Sequence, residues 1–290
     1  PQILGIGGTG VLLATLFVFW EQRASEPILP LRLFRNRTFT LATIGSFLIG
    51  AAMFGAILYI PLYLQIVKER SATASGLLLL PLMVGIIGTS IVSGRAISRI
   101  GRYKWCMVAG ASFTTVGIGL HSRLQADTPL WLAGVYMVVA GIGLGLLMQP
   151  MVLAAQNSLA RRDLGAGTST ATFVRTLGGS VGVAVFGAVF NNRLTQFLAE
   201  ARPAGAAGTP RIGPESLGDP KSILAQPLAV KDFVQDAFVQ SIHTVFLVGM
   251  GVAALAIVVT VLMPDAILAG PDDRPKPAER AGAEATAALV

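Results

Sequence analysis

The chain has 290 residues, of which 53% are hydrophobic and 13% are charged, and its mean hydropathy is +0.68. A soluble domain carries about 25% charged residues, so this chain lacks the charge that a water-exposed surface requires. The composition excludes a single water-soluble globule, a collagen-like chain and a disordered chain. One cysteine, Cys106, also excludes a disulfide scaffold. The sequence therefore predicts an integral membrane protein.

The formal net charge is +7 and the isoelectric point is about 10.1. A basic surplus of this size is one feature of nucleic-acid-binding proteins. In a chain this apolar, the basic residues are better explained as loops on one face of a membrane. We therefore expect the lipid bilayer as the partner of this chain, and no nucleic acid.

Seven stretches have the length and the low charge of membrane spans, which need about 20 mostly apolar residues. Only one of them contains a charged residue, Arg175. The first stretch has no preceding basic residue and no clear cleavage site, which argues against a signal peptide. Because the chain begins with a proline, we interpret its start as a cut in a longer protein. The spans predict an all-α, polytopic helix bundle and cover residues 3–20, 38–67, 71–94, 105–122, 128–159, 164–192 and 237–264.

Lysine and arginine are concentrated in alternate loops. Loops 21–37, 94–104 and 160–163 hold most of them, whereas the opposite short loops hold only Lys68, Arg70 and Arg123. The positive-inside rule places the richer loops in the cytoplasm. The sequence thus predicts a multi-pass protein of the cell membrane whose C-terminus is cytoplasmic.

Two segments are too polar to span. Residues 193–236 form an outer segment rich in proline, glycine and alanine, which is either a flexible linker or a binding site for a partner; residues 230–240 favour a helix that leads into the last span. Residues 265–290 have the composition of a disordered tail.

Glycine and proline within the spans predict close packing and kinks. Gly141 and Gly145 are four residues apart, as are Gly178 and Gly182, and such spacing lets helix backbones approach closely in lipid. Prolines in spans remove a backbone donor and are expected to kink their helices. They are Pro61, Pro81 and Pro150.

Two polar side chains within spans are candidates for a substrate pathway. Gln149 precedes Pro150 in the fifth span, and Arg175 lies about ten residues into the sixth. An ionisable group within the membrane costs roughly 2.5–3.5 kcal/mol and is a functional candidate by default. Snorkelling of Arg175 towards the cytoplasmic surface is an equally good interpretation at this point.

Groups for catalysis or metal binding are scarce. All 15 acidic residues lie outside the predicted spans, so a carboxylate for proton coupling is not expected in this segment. His121 and His243 lie near the outer ends of spans, where an interfacial location is the simpler interpretation. No metal-ligand cluster or nucleophile motif occurs, and the glycines at 5–10 lack the strand that a dinucleotide loop requires. We expect no enzyme activity, no metal and no cofactor.

The loop from Gly94 to Lys104 resembles the cytoplasmic loop signature of the major facilitator superfamily. Gly94, Arg99, Gly101 and Arg102 match that signature, while Ala96 replaces its leucine and Ser98 replaces its acidic residue. The resemblance implies that this motif controls a conformational change, with a glycine that lets two helices meet and arginines that pair with acidic groups or helix ends.

Two further segments resemble fourteen-helix drug:proton antiporters of that superfamily. Residues 21–39 are similar to the connection after their central helix pair, and residues 173–182 are similar to their thirteenth helix. The resemblance covers all but the tail and implies helices eight to fourteen of such a carrier. Residues 1–20 would then be a linker helix, 21–37 a cytoplasmic loop, and 38–264 the six-helix C-terminal half.

The function implied by this resemblance is proton-coupled efflux of small hydrophobic or cationic drugs by alternating access. An N-terminal half, with the proton-binding carboxylate, would be the missing partner. Two alternatives remain within the same fold: an importer of a small metabolite, and a half-transporter that is inactive alone. A membrane-embedded enzyme or scaffold would require clustered catalytic or ligand residues.

Overall fold

The computed structural model describes residues 31–200 and 228–265, with the backbone alone at 31, 198–200 and 228–232. It also describes seven helical positions near the N-terminus, at 9, 10, 12, 15, 16, 19 and 20. Most of the predicted first span, residues 21–30 of the first loop, residues 201–227 of the outer segment and residues 266–290 of the tail lie outside the described residues.

The described segments are helical, as the fold prediction requires. Two short 3₁₀ turns, Leu31–Arg35 and Arg161–Asp163, lie beside the α-helices. The helices in chain order are α1 Arg37–Ile66, α2 Ala72–Leu77, α3 Leu80–Ile100, α4 Lys104–His121, α5 Leu130–Asn157, α6 Leu164–Glu200 and α7 Leu228–Leu262. Helices α6 and α7 thus continue into the predicted outer segment 193–236 from both sides.

Five spans in the described residues are long and apolar enough to cross a membrane. They comprise α1, α2 with α3, α5, α6 with its preceding turn, and α7. The predicted span 105–122 is a helix as well, but α4 has only 18 residues and includes Lys104 and His121 at its ends, so it falls short of the other five in apolar content. It still packs inside the same bundle, against α5 and α7.

Helix ends follow local sequence signals. The Asn36 side chain accepts hydrogen bonds from the backbone N–H groups of Thr38 and Phe39, at 2.9 and 3.2 Å, and so caps α1. Ser71 caps α2 in the same way. Pro61 and Pro150 lie inside α1 and α5 as predicted. The expectation of a kink at Pro81 is wrong, because Pro81 occupies the first turn of α3, where a helix needs no backbone donor.

Glycines bring α1 and α6 into backbone contact. A Cβ atom at Gly50 would overlap the carbonyl oxygen of Arg175, and one at Gly178 would overlap that of Phe47. The predicted pair of Gly178 and Gly182 therefore lies at a tight helix crossing. Gly141 and Gly145 play the same part between α5 and α3, as expected where close approach replaces the hydrophobic effect.

The loops divide between two ends of the bundle. At one end, here called the arginine-rich end, lie residues 31–37, 101–103 and 158–163. Arg32 and Asn36 bond Asp163 and Ser158, and Tyr103 belongs to the same buried cluster as Leu33. At the opposite end lie residues 67–71 and 122–129, joined by the Lys68 ammonium and the carbonyl of Ala126. The structure thus groups the loops as the alternation of basic residues predicts.

Candidate functional site

Gln149 and Arg175 are the two span residues that the sequence analysis assigned to a substrate pathway. Gln149 is exposed on α5 and Arg175 is half-buried on α6. Within the described residues, neither side chain forms a hydrogen bond or an ion pair. Leaving an amide without a partner in an apolar medium costs about 2–7 kcal/mol, so the surface that carries these two groups is poorly suited to contact with lipid tails.

The structure places both residues at one depth along the contact between α5 and α6. Gln156 of α5 donates a hydrogen bond to the Thr168 hydroxyl of α6 at 3.0 Å. The two helices run in opposite directions from this point, and Gln149 and Arg175 each lie seven residues further on. Seven residues are within about 20° of two full turns and advance about 10 Å. By this register the two residues lie at a similar distance along α5 and α6 from the Gln156–Thr168 bond.

Hydroxyl groups next to Arg175 are satisfied within their own helix. Thr176 bonds the carbonyl of Thr172 at 3.1 Å, and Ser180 bonds that of Thr176 at 3.2 Å. Such bonds to the preceding turn let threonine and serine lie in lipid at low cost. The exposed hydroxyls of α6 therefore do not distinguish a lipid-facing surface from a water-facing one.

The backbone of Arg175 is fixed while its side chain is not. Its carbonyl oxygen packs directly on Gly50 of α1, whereas its side chain forms no hydrogen bond or ion pair within the described residues. Helical side chains lean towards the N-terminus of their helix, which for α6 is the arginine-rich end. The site thus combines a close backbone crossing at Gly50 with one cationic side chain on α6.

The residues of the loop signature form the end of α3. Gly101 has φ 74° and closes the helix in a left-handed cap, its N–H donating to the Ile97 carbonyl at 2.8 Å. The Ser98 hydroxyl bonds the Gly94 carbonyl at 2.8 Å. Arg99 and Arg102 are exposed and have no ion pair within the described residues. The residues of the loop signature thus form the C-terminal end of α3 and the connection to α4, which begins at Lys104.

Gly94 does not have the role that the resemblance suggests within this chain. A Cβ atom at Gly94 would meet nothing within 4 Å, so no helix of the described segments packs closely against it. The close approach predicted for this glycine is therefore absent from the described residues, because α3 turns its other face towards α5.

A buried carboxylate at the arginine-rich end was not singled out by the sequence analysis. The Asp163 side chain is only 12% exposed and lies 2.6 Å from Arg32 Nη2 and 3.8 Å from Arg162 Nε. Asn36 Nδ2 donates to the Ser158 carbonyl at 2.8 Å beside it. An acid flanked by Arg161 and Arg162 in a loop is a weak signal, since the partner, Arg32, is 131 residues away in sequence.

The opposite end is closed by hydrogen bonds to backbone carbonyls. Tyr63 donates its hydroxyl to Gln125 at 2.7 Å, and Lys68 Nζ donates to Ala126 at 2.6 Å. Loss of hydration in this contact lowers the pKa of the Lys68 ammonium. Gln235 of α7 completes the closure by donating to the Ile66 carbonyl at the end of α1, at 3.0 Å.

The histidines lie together at that end. His121 is buried against Tyr136 and Phe246, and its Nδ1 lies 2.7 Å from the Gly117 carbonyl. His243 bonds the carbonyl of the next residue, Ser122. His121 thus lies at the last residue of α4, with its side chain buried in protein. No group of three His, Cys, Asp or Glu side chains that could hold a metal occurs among the residues the structure describes.

An apolar cavity of about 520 Å³ lies near the opposite end, between α1, α3 and α5. Its wall contains no charged side chain, and Trp131, at 71% exposed, lies on its rim. The cavity has the size and the lining of a site for a small hydrophobic molecule.

The family model that matches this chain is that of the Major Facilitator Superfamily, over residues 3–183. This match confirms the superfamily predicted from the loop signature. Among solved structures, a bacterial homolog of the human lysosomal transporter Spinster, in an inward-facing and occupied conformation, has a TM-score of 0.61 and 13% identity. The match covers 83% of this chain and 51% of that protein, and it shows a shared fold.

Curated relatives include several transporters. An uncharacterized MFS-type transporter of Mycobacterium tuberculosis is 38% identical over 257 residues, covering 88% of this chain and 36% of the relative. The multidrug transporter protein MdtP of Bacillus subtilis is 32% identical, with 90% and 52% covered. The tetracycline resistance determinant of Streptomyces rimosus is 32% identical, with 76% and 64% covered. The chain thus spans from about a third to under two thirds of the length of these relatives.

Proposed function

This chain belongs to the Major Facilitator Superfamily, and from that membership we propose that it is the C-terminal part of a carrier that exports small hydrophobic or cationic drugs. The chain is a membrane transporter rather than an enzyme. The parts of this function that we propose are the direction of transport, the substrate and the coupling to protons. They draw support from relatives whose names are multidrug transporter and tetracycline resistance determinant.

The observation that carries this proposal is that Gln149 and Arg175 form no hydrogen bond or ion pair within the described residues and lie at equal distances along α5 and α6 from the Gln156–Thr168 bond. Arg175 lies 11 residues after the start of α6, about 16 Å along the helix. We take the start of α6 as the edge of a hydrocarbon core of about 30 Å, which puts Arg175 near its middle. Polar groups at this depth face a water-filled pathway or another protein segment. We assign both side chains to the wall of the substrate pathway, opposite an N-terminal half.

The apolar cavity beside Trp131 supports a hydrophobic substrate. With no charged residue in its lining, it offers dispersion and burial but no countercharge for a cation. In the proposed carrier, it holds the apolar part of a drug at the opposite end of the bundle, while groups of the N-terminal half bind any positive charge.

Proton coupling is assigned to residues outside this chain. Asp163 is the one buried carboxylate in the part of the chain that the structure describes, and it is held at the arginine-rich end by two arginines rather than at mid-membrane. A residue that binds and releases protons during transport must reach both sides of the membrane in turn. The coupling group is therefore expected in the N-terminal half.

We further propose that the arginine-rich end faces the cytoplasm, in accordance with the positive-inside rule. The tail at 265–290 then also lies inside the cell, and the loop signature at Gly94–Arg102 lies where it can control the conformational change. Labelling from either side of the membrane tests this orientation. A cysteine at Arg102 should react only in inverted vesicles, and a cysteine at Arg123 only in intact cells.

Drug efflux by the complete gene product tests the role of the site. We expect Arg175→Ala and Gln149→Leu each to lower the initial efflux rate by about tenfold, the effect of ~1.4 kcal/mol, at unchanged abundance in the membrane. Arg123→Ala, an exposed arginine at the opposite end, is the matched control. Intact efflux in both site variants would remove Gln149 and Arg175 from the pathway, and uptake down a substrate gradient in oriented vesicles would favour import.

A further inference from the structure

The side chain of His121 is enclosed by helices although it belongs to the last turn of α4. It is 1% exposed. The centroid of its ring lies 6.1 Å from that of Tyr136 on α5 and 5.3 Å from that of Phe246 on α7. Because α4 packs against both α5 and α7, the imidazole lies where these three helices meet. A change at His121 therefore acts on both contacts of α4 at once.

The hydrogen bond of the ring determines which nitrogen carries the proton. Nδ1 lies 2.7 Å from the Gly117 carbonyl oxygen, and a carbonyl oxygen only accepts hydrogen bonds. Nδ1 is therefore the protonated nitrogen, and Nε2 holds a lone pair. Nε2 is buried and has no hydrogen-bond partner among the described residues. His121 thus keeps an unused basic atom in the interior of the bundle.

The groups around His121 include no ion-pair partner in the part of the chain that the structure describes. Tyr136 is the titratable residue of α5 in contact with the ring. On α7 the titratable group nearest to this turn is His243, which bonds a loop carbonyl directly after α4. Arg123 and Asp127 follow in the loop, and both are exposed. A second proton on the ring would therefore remain uncompensated.

Protonation of Nε2 would place an unpaired cation between the helices. Burying an ion without a partner costs far more than a cation–π contact with Phe246 returns. The packed bundle therefore holds the neutral ring, whereas an imidazole in water takes up a proton below a pH of about 6.5. Acid thus favours any state in which the end of α4 separates from α5 and α7.

We propose that His121 is a proton-sensitive switch at the end of α4. As a neutral ring it holds this end against α5 and α7, and uptake of one proton from water at Nε2 releases the contact. The loop that follows α4 moves with it, since carbonyls of this loop accept the bonds from Tyr63 and Lys68. Under the orientation given under Proposed function, the switch responds to acid outside the cell. Its chemistry does not depend on that orientation or on transport.

Hydrogen exchange in the complete gene product tests the proposal. The exchange of residues 114–124, measured by mass spectrometry at pH 7.5 and 5.0 and corrected for the intrinsic rate, gives the change in the opening constant of this segment. The opened state binds a proton that the packed state lacks, so opening increases as the pH falls. For an ordinary imidazole the increase is about 30-fold between these pH values. Residues 37–47, at the arginine-rich end, should show no such increase.

Variants without a titrating group isolate His121. His121→Phe keeps a ring between Tyr136 and Phe246 and should abolish the increase in acid. His121→Asn keeps a donor for the Gly117 carbonyl and should have the same effect, so the proposal stays testable if the first variant folds poorly. The matched control His243→Asn removes the exposed histidine of the same end. It should keep the full increase, because an exposed imidazole is hydrated in both states.

Three results would overturn the proposal. The same increase in His121→Phe as in the parent protein would assign the acid response to another group. Loss of the increase in His243→Asn alone would assign it to the exposed histidine, and an equal increase in residues 37–47 would mean that acid loosens the whole bundle. Because exchange is measured without substrate, a failure of drug efflux leaves this result intact. Exchange of α4 that does not depend on pH likewise leaves the proposed transport function intact.

Discussion

Replacing Gly50 with alanine should loosen the bundle at the crossing of α1 and α6. The added Cβ would overlap the Arg175 carbonyl oxygen and lie 3.1 Å from the backbone nitrogen of Gly179. Both are backbone atoms and cannot rotate away as the end of a side chain can. The helices must therefore separate, which also disturbs the neighbouring contact between Gly178 and Phe47.

The expected loss of stability follows from the cost of overpacking. Inserting a methyl group into a well-packed core costs typically 1–3 kcal/mol, and the upper end applies here because the obstacle is backbone. A change of 1 kcal/mol shifts the melting temperature of a chain of this size class by about 2–4 °C. We therefore expect Gly50→Ala to lower the melting temperature by about 6–12 °C.

Cys106 provides the assay, because it is the sole cysteine of the chain and is fully buried. A thiol-reactive fluorophore added to the protein in detergent reports unfolding as this thiol becomes accessible. Gly251→Ala is the control, since a Cβ atom at Gly251 meets nothing within 4 Å and alanine has the higher helix propensity. If Gly50→Ala melted within about 2 °C of Gly251→Ala, the close crossing inferred here would be wrong.

Three further predictions concern single side chains. Asp163→Asn should lower the melting temperature by a few degrees, because the half-exposed ion pair with Arg32 contributes up to about 1 kcal/mol. Asp236 is exposed and lies outside any ion pair among the described residues, so the control Asp236→Asn should leave the melting temperature unchanged. Tyr63→Phe should cost about 1–2 kcal/mol, since the loop carbonyl at 2.7 Å loses its donor; Tyr136→Phe, which removes no described hydrogen bond, is its control. Maleimide should label Cys106 in denaturant and not in the folded protein.

The spans could be predicted because membrane insertion depends on local composition. A run of about 20 uncharged residues is by itself evidence for a membrane span. Accordingly, α1, α5 and α6 begin within a few residues of the predicted positions. The alternation of basic loops likewise groups the two ends correctly. Pro81 shows the limit of this reasoning, since a proline within an apolar run either bends a helix or starts one, and the break after α2 decides between them.

Contacts between distant segments could not be predicted in the same way. Nothing in the local sequence of Arg32 identifies Asp163 as its partner, and His121 is buried because Tyr136 and Phe246 pack against it. The sequence also could not predict that Gly94 packs against no helix of the described segments. A glycine motif shows that a close approach is possible, but it does not identify the helix that makes it. These features depend on the packing of the whole bundle.

The crossing at Gly50 and the pathway assigned to Arg175 are mechanically linked, and this link separates the two interpretations of Arg175. Since the Arg175 carbonyl rests on Gly50, Gly50→Ala displaces the backbone that carries the guanidinium. If Arg175 lines the pathway, the efflux rate per folded carrier should fall in Gly50→Ala. The double variant Gly50→Ala/Arg175→Ala should then lose less activity than the sum of the two single-variant losses, because both substitutions act on the same guanidinium. If Arg175 only snorkels to the surface, efflux per folded carrier should be the same in Gly50→Ala as in the parent protein. That result, with the melting temperature lowered as expected, would confine the crossing to a structural role and remove Arg175 from transport.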